Sequence, residues 1–170
     1  LEVYDSSDSL KATISIPVEE IWGNMTGFTT SYHRENWVSS EPDIVAGDKV
    51  YGYVDIVDST PDASVMVGEI TGDVDVDLNS ISGTITFLGY YPNPGAVWVE
   101  CQAWGAPEWT PSKWVEVTLN EFGEGSYTCE WDPNTEWDVE TNQDIAVSVH
   151  DPQGHRIFEV FYEPSYDLFL

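Results

Sequence analysis

Positive charge is the scarcest property of this 170-residue sequence, which has 31 Asp and Glu residues against five Lys and Arg. The formal net charge is −26. A field of this sign repels nucleic-acid backbones and anionic lipid head groups, so we expect no nucleic-acid partner and no binding to a membrane surface. The same charge suits a halophilic protein, because the Debye length falls to about 3 Å near 1 M salt and self-repulsion is then screened.

Long apolar runs and catalytic motifs are also missing from the sequence. No apolar stretch approaches the roughly 20 residues of a membrane helix, so we expect no membrane insertion. There is no G-x-S-x-G, H-E-x-x-H, C-x-x-C or glycine-rich phosphate loop. We therefore expect a protein that is not an enzyme and that has no catalytic cofactor.

Cysteine occurs only twice, at Cys101 and Cys129, and both share the parity of the apolar residues around them. Two inward cysteines fit a disulfide, although two buried free thiols of a cytosolic protein would give the same pattern. The chain starts at Leu1 rather than Met, which fits either a mature protein whose leader has been removed or a fragment. Asn24 opens an N-x-T glycosylation sequon, which is typical of a surface site in a secreted protein. We therefore expect a Cys101–Cys129 bridge worth roughly 3–4 kcal/mol and an extracellular or cell-surface location.

The dominant pattern is an alternation of apolar and polar residues over 81–162. Five groups of apolar residues with the same parity follow one another, separated by turn residues. The groups are Ile81, Ile85 and Phe87; Val97, Val99, Cys101 and Ala103; Val115, Val117 and Leu119; Tyr127, Cys129 and Trp131; and Ile145, Val147 and Val149. A period of two over this many short segments predicts an all-β protein with a sandwich or barrel architecture.

Three stretches of this region are typical of a known kind of module: 81–85 (ISGTI), 126–132 (SYTCEWD), and 145–149 (IAVSV) running into the turn DPQG. They make residues 81–162 resemble the immunoglobulin-like modules of bacterial and archaeal cell-surface proteins. The resemblance implies an immunoglobulin-like β-sandwich. It implies little about role, because that fold serves many functions.

The rest of the chain predicts a second, less complete unit. We expect a flexible lead at 1–9, an N-terminal β unit at 10–80 with a long loop at 19–47, the sandwich at 81–162, and a C-terminal tail at 163–170. A faint repeat places 50–56 over 81–87, although two hairpins with similar turns would also look alike. If the repeat is real, the first unit lacks closing strands and takes them from 10–18 or from a neighbouring molecule.

Residues 10–18 form the candidate assembly strand. Its alternating apolar residues are Leu10, Ala12, Ile14, Ile16 and Val18. An extended segment can add to an open sheet of the next subunit and satisfy the backbone of both. We therefore predict a secreted structural subunit of a filament or pilus, surface layer or virion, which forms a homopolymer by strand exchange, with 161–170 as the alternative donor.

Three tryptophans, Trp104, Trp109 and Trp114, surround a loop and predict a contact surface. Aromatic residues are favoured anchors of subunit interfaces. Exposed rings also stack on sugars, so the alternative function is a glycan-binding or adhesion module.

Three acidic residues, Asp73, Asp75 and Asp77, share one face of a predicted strand at 71–80. Carboxylates at this spacing repel one another unless a cation or solvent relieves them. They predict either a surface Ca²⁺ site or a solvated strand that resists edge-to-edge aggregation.

Overall fold

A computed structural model describes residues 1–22, 25–27, 30, 33–53, 63–87, 95–104, 112–150 and 156–163. Apart from one short 3-10 helix, every regular element in these ranges is a β-strand, which confirms the all-β prediction. The chain divides into two compact units, unit 1 at Leu1–Val67 and unit 2 at Gly68–Leu170. Within the described ranges, no helix is long and apolar enough to cross a membrane.

Unit 1 is built around one antiparallel sheet. Its strands are β1 Glu2–Tyr4, β2 Leu10–Thr13, β3 Glu19–Trp22, β4 Met25–Gly27, β5 Lys49–Gly52 and β6 Ala63–Met66. Four of them form a sheet in the order β2-β1-β5-β6, and β3 pairs with β4. A 3-10 helix at Arg34–Asn36 precedes Trp37, which forms an isolated antiparallel β-bridge with Ile14 and belongs to the buried core.

Unit 2 is a sandwich of two antiparallel sheets. Its strands are β7 Glu69–Ile70, β8 Asp73–Asp75, β9 Ser80–Thr86, β10 Ala96–Ala103, β11 Lys113–Thr118, β12 Glu124–Glu130, β13 Ile145–His150 and β14 Arg156–Phe161. One sheet has the order β12-β9-β7, with β8 also paired to β9, and the other has the order β11-β10-β13-β14. Side chains from both sheets form a single core.

The alternation in the sequence correctly identifies this core. Every member of the five apolar groups is buried in it except Val115, which is partly buried and packs against it. Tyr127 is also buried, and its hydroxyl donates to the Thr71 carbonyl at 2.7 Å. Burial raises the pKa of this phenol.

Several expected boundaries differ from the structure. The units divide at 67/68 rather than 80/81, because β7 and β8 pair with β9 of the sandwich. The expected loop at 19–47 contains β3, β4 and the 3-10 helix. The faint repeat, which also places 65–67 over 97–99, has no counterpart in the strand pairing, because β5 pairs with β6 whereas β9 and β10 lie in different sheets. Most of the tail expected at 163–170 lies outside the described residues.

Candidate functional sites

The β1–β2 hairpin of unit 1 is fixed by its turn. The Asp5 carboxylate accepts hydrogen bonds from Ser7 Oγ at 2.6 Å and from the backbone N–H groups of Ser7 and Ser9 at 2.8 and 2.9 Å. These bonds, the Ser7 hydroxyl first among them, lower the pKa of Asp5. Asp8 adopts a left-handed conformation with φ of 64°, which short polar residues tolerate in turns. The prediction of a flexible lead at 1–9 is therefore wrong, because the serines and acidic residues of this segment form the turn of a hairpin.

The hairpin and the residue that follows it supply most of the unit 1 core. Val3 is fully buried, and Ala12 and Ile14 are 4% and 3% exposed. Together with Trp37 they make up the buried apolar cluster found among the described residues of this unit. Because β1 lies between β2 and β5, removing the hairpin would leave, of the strands that the structure describes, β5 and β6 in this sheet. An isolated two-stranded pair is at best marginally stable in water.

Two of the five Lys and Arg residues tie this hairpin to the rest of unit 1. Lys11 Nζ on β2 lies 2.6 Å from Asp48 Oδ2, just before β5. Asp48 is 1% exposed, and the same oxygen accepts a hydrogen bond from the Val45 N–H at 2.9 Å. Lys49 on β5 pairs with Asp8 in the hairpin turn. A chain with so few cations thus places two of them where they fasten the N-terminal segment.

Polar and aromatic contacts also link β1 to the segment around β5. Glu2 Oε2 accepts hydrogen bonds from the hydroxyls of Tyr4 and Tyr53, both at 3.0 Å. The rings of Tyr4 and Tyr51 meet edge to face, with centroids 5.6 Å apart. The bond to Glu2 is the main cause of the raised pKa of Tyr4, whereas burial is the main cause for Tyr53.

The predicted assembly strand is paired within its own chain. Ala12 and Ile14 point into the core as expected and Ile16 packs against it, but Leu10 and Val18 are 53% and 51% exposed. The strand itself covers only the first four residues of 10–18 and pairs with β1. Donation of this strand to another subunit stays a prediction. Within its own chain, the turn at Asp5 brings β1 alongside it.

A second candidate site covers the outer face of the β11-β10-β13-β14 sheet in unit 2. Trp98, Trp104, Trp114 and Phe158 are 48%, 43%, 50% and 58% exposed. In β10 and β11 the tryptophans alternate with core residues, so they point away from the core. We call this outer surface of the sheet, which carries the four exposed rings, the aromatic face.

The rings of this face gather in two clusters. The ring centroids of Trp114 and His150 are 5.0 Å apart, and Trp98 is the register partner of His150. The centroids of Trp104 and Phe158 are 6.1 Å apart. The face therefore has an aromatic cluster on each side of its centre.

Polar residues occupy the centre. The register places Glu100 and Ser148 side by side, between Trp114 on β11 and Phe158 on β14. Ser148 is 1% exposed although it alternates with core residues of β13, and its hydroxyl accepts a hydrogen bond from Arg156. The polar centre is thus part of an ordered surface layer.

Arg156 and His150 converge on the Glu100 carboxylate. Arg156 Nη2 donates to Ser148 Oγ at 2.6 Å and lies 3.6 Å from Glu100 Oε2. His150 Nε2 lies 3.5 Å from the same oxygen and has no hydrogen-bond partner within the part of the chain that the structure describes. The Glu100 side chain is 16% exposed, so its charge is partly shielded from solvent.

Two of the three predicted contact tryptophans, Trp104 and Trp114, lie on this face, and Trp109 lies outside the described residues. The sequence prediction missed Trp98 and Phe158. Trp98 has outward parity in a strand whose inward residues were identified, and that signal was sufficient to find it.

The predicted disulfide is confirmed. Cys101 of β10 and Cys129 of β12 are bonded and 0% and 1% exposed. Because β10 and β12 belong to different sheets, the bond joins the two layers of the sandwich.

The other predicted sites gain no structural support. Asp73 and Asp75 lie in β8, but Asp77 lies in the turn that follows, where Asp75 Oδ1 accepts the Leu78 N–H at 2.9 Å. In the described ranges, no group of three or more His, Cys, Asp or Glu side chains is arranged to hold a metal ion. The Ca²⁺ site stays a prediction, and the glycosylation site Asn24 lies outside the described residues.

No family model, curated protein or solved structure matches this chain.

Proposed function

We propose that this protein is a secreted structural subunit of an extracellular filament or pilus, surface layer or virion, whose copies join by exchanging the β1–β2 hairpin. The observation that carries the proposal is the dependence of unit 1 on residues 1–14, which supply two of its four main-sheet strands and, with Ile14, most of its buried cluster. A unit that relies on a separable segment can receive that segment from its own chain or from another copy.

Exchange between copies would preserve the contacts described above. Val3 and Ala12 would enter the core of the receiving copy, and Lys11 would reach the Asp48 of that copy. Because the same bonds form within one chain or between two, the balance depends on protein concentration and on the segment that connects β2 to β5. Exchange of an identical element is a low-cost route to association for this reason.

The chemistry of the rest of the chain supports an extracellular setting. A buried disulfide persists in oxidising compartments. In unit 2, β7 and β8 both pair with β9, which pairs with β12, and this sheet lies opposite β11-β10-β13-β14. This order is compatible with an immunoglobulin-like arrangement and in that way supports the resemblance to cell-surface modules. The high negative charge limits association at low ionic strength and favours it in salt.

Negative-stain electron microscopy tests the proposal directly. The full chain at high concentration in about 1 M salt, where screening is strong, should form polymers. A chain lacking residues 1–14 should not, and a synthetic peptide of residues 1–14 should bind to that truncated chain and restore unit 1 to protease resistance. A full chain that stays monomeric in salt would contradict the proposal, as would unchanged polymers after the truncation.

A further inference from the structure

The aromatic face of unit 2 lies in a different unit from the hairpin and calls for a function of its own. The rings of Trp98, Trp104, Trp114 and Phe158 leave large apolar surfaces in contact with water. The partly exposed side chains of Glu100 and Arg156 lie among them rather than around them. This combination of broad ring surfaces and a few fixed polar groups is typical of small-ligand and oligosaccharide recognition.

We propose that the aromatic face binds a neutral polysaccharide. Its two ring clusters would stack against the apolar faces of sugar rings. Between the two clusters, Glu100 would accept hydrogen bonds from sugar hydroxyls and Arg156 would donate hydrogen bonds to them. The hydrogen bond from Arg156 to Ser148 holds the guanidinium in place before any ligand arrives, which limits the entropy lost on binding.

The distribution of polarity favours a glycan over a protein partner. Protein interfaces have an apolar centre that is depleted of charge, with polar groups at the rim. On this face the arrangement is reversed, because Glu100 and Ser148 lie in the middle of the register and Trp114 and Phe158 at its outer strands. A protein surface packed on this face would have to bury Glu100 and Arg156 at its centre. A sugar hydroxyl can bond to either.

The charge of the chain favours a neutral ligand over an anionic one. The net charge is −26, and unit 2 contains only Lys113 and Arg156 as Lys or Arg residues. Arg156 is already shared with Glu100, so the described residues of this face include no uncompensated Lys or Arg for a sulfate or a uronate. Uncharged sugars avoid this repulsion.

The size of the face favours several sugar units over one. Trp114 and Phe158 lie on the two outer strands of a four-stranded sheet, which places their backbones about 14 Å apart at the usual strand spacing. A monosaccharide could contact only one of the two ring clusters. An extended oligosaccharide could contact both clusters and the polar centre.

Calorimetric titration of the full chain with uncharged hexasaccharides tests the proposal. The panel contains cellohexaose, maltohexaose, mannohexaose and chitohexaose, with an alginate oligomer as the anionic probe. At least one neutral hexasaccharide should bind, and the alginate oligomer should not. Trp98→Ala and Trp114→Ala should each weaken binding roughly tenfold, as expected for aromatic anchors, and Glu100→Gln should also weaken it without lowering the melting temperature.

The matched control is Phe122→Ala. Phe122 is 70% exposed in the turn between β11 and β12, so this variant removes an exposed ring that does not belong to the face. Its affinity should equal that of the unaltered chain. The proposal is overturned if no neutral hexasaccharide binds, or if Phe122→Ala weakens binding as much as Trp98→Ala does. It is also overturned if sedimentation shows that Trp98→Ala abolishes self-association while sugars have no effect, since the face would then be a protein interface.

Discussion

The two units of this chain obtain their cores in different ways. In unit 2 the core residues come from strands spread across both sheets of a sandwich, and the disulfide joins those sheets. In unit 1 the buried cluster is small, and most of it comes from residues 3–14. Unit 2 therefore keeps its contacts even if one edge strand is disturbed, whereas unit 1 depends on a single hairpin.

Charge is also used differently in the two units. Unit 1 contains Lys11, Arg34 and Lys49, and two of these hold the hairpin in place. In unit 2, Lys113 pairs with Glu136 near the surface, and Arg156 helps to organise the aromatic face. We propose that assembly depends on unit 1 and ligand contact on unit 2.

The largest effect is expected from Val3→Asp. The variant places a carboxylate at a fully buried position in β1 and should cost roughly 4 kcal/mol or more, enough to unfold unit 1. Hydrogen exchange measured by mass spectrometry should show loss of protection in 1–67 and normal protection in unit 2. Leu10→Asp is the matched control, because Leu10 lies in the same hairpin but is 53% exposed, and it should leave protection unchanged. Equal loss in both variants would refute the role given to Val3.

The next effect concerns the disulfide of unit 2. Replacing Cys101 and Cys129 together by Ala removes a cross-link across 28 residues and should lower the stability of the sandwich by about 3–4 kcal/mol. Guanidinium unfolding followed by tryptophan fluorescence should show an earlier transition for unit 2, while protection of 1–67 in hydrogen exchange stays the same. An unchanged midpoint would show that packing alone secures the two sheets.

A comparison of two lysines should give a smaller effect. Lys11→Met leaves the buried Asp48 carboxylate without its cation and should destabilise unit 1 by about 2 kcal/mol, less than for a fully buried pair because Lys11 is partly exposed. Lys113→Met removes an ion pair whose two partners are both solvent-accessible, so it should have little or no effect on unit 2. Similar effects of the two changes on thermal unfolding would argue against a special role for Lys11 in fastening the hairpin.

The smallest effect is a pH dependence in unit 2. The pKa of Asp132 is lowered, chiefly by the hydrogen bond from the Asn134 N–H, and that of Glu136 is lowered, chiefly by Lys113. Since the folded state holds these carboxylates ionised, they stabilise it fully above about pH 4.5, and this contribution is lost as the pH falls through the lowered pKa values. Asp132→Asn should therefore reduce the acid sensitivity of unit 2. Thermal melts of the unaltered chain and of Asp132→Asn between about pH 2 and 6 should show a difference in melting temperature that grows with pH. Parallel curves of melting temperature against pH would contradict this role of Asp132.

The sandwich could be predicted from the sequence because its strands are long and alternate regularly. The same alternation identified the inward cysteines and thus the disulfide. Unit 1 is harder to predict, because an acidic, serine-rich segment is typical of a flexible lead, whereas Asp5 and Ser7 form a turn through their side chains. The burial of Asp48 could not be predicted from the sequence either, because an isolated carboxylate is expected at the surface. Its lysine partner is 37 positions away in the sequence and is brought beside it only by the fold.

The aromatic face could be predicted only in part. Trp104 and Trp114 were found because they flank a loop rich in turn residues. Trp98 was missed although its parity is clear, and Phe158 lies on an edge strand whose pairing with β13 the sequence does not specify. The approach of Arg156 to Glu100 depends on the order of strands in the sheet, which alternation alone does not give.

Intermolecular cross-linking at one strand pair tests hairpin exchange most directly. Glu2 and Tyr51 are register partners on β1 and β5, so Glu2→Cys with Tyr51→Cys places two thiols at a distance suited to a disulfide. Ser82→Cys with Thr128→Cys does the same for β9 and β12 inside the sandwich and is the matched control. After oxidation at high protein concentration in about 1 M salt, a non-reducing gel should show a ladder of covalent multimers for the first pair and monomers for the control. Monomers from both pairs would show that the hairpin stays in its own chain.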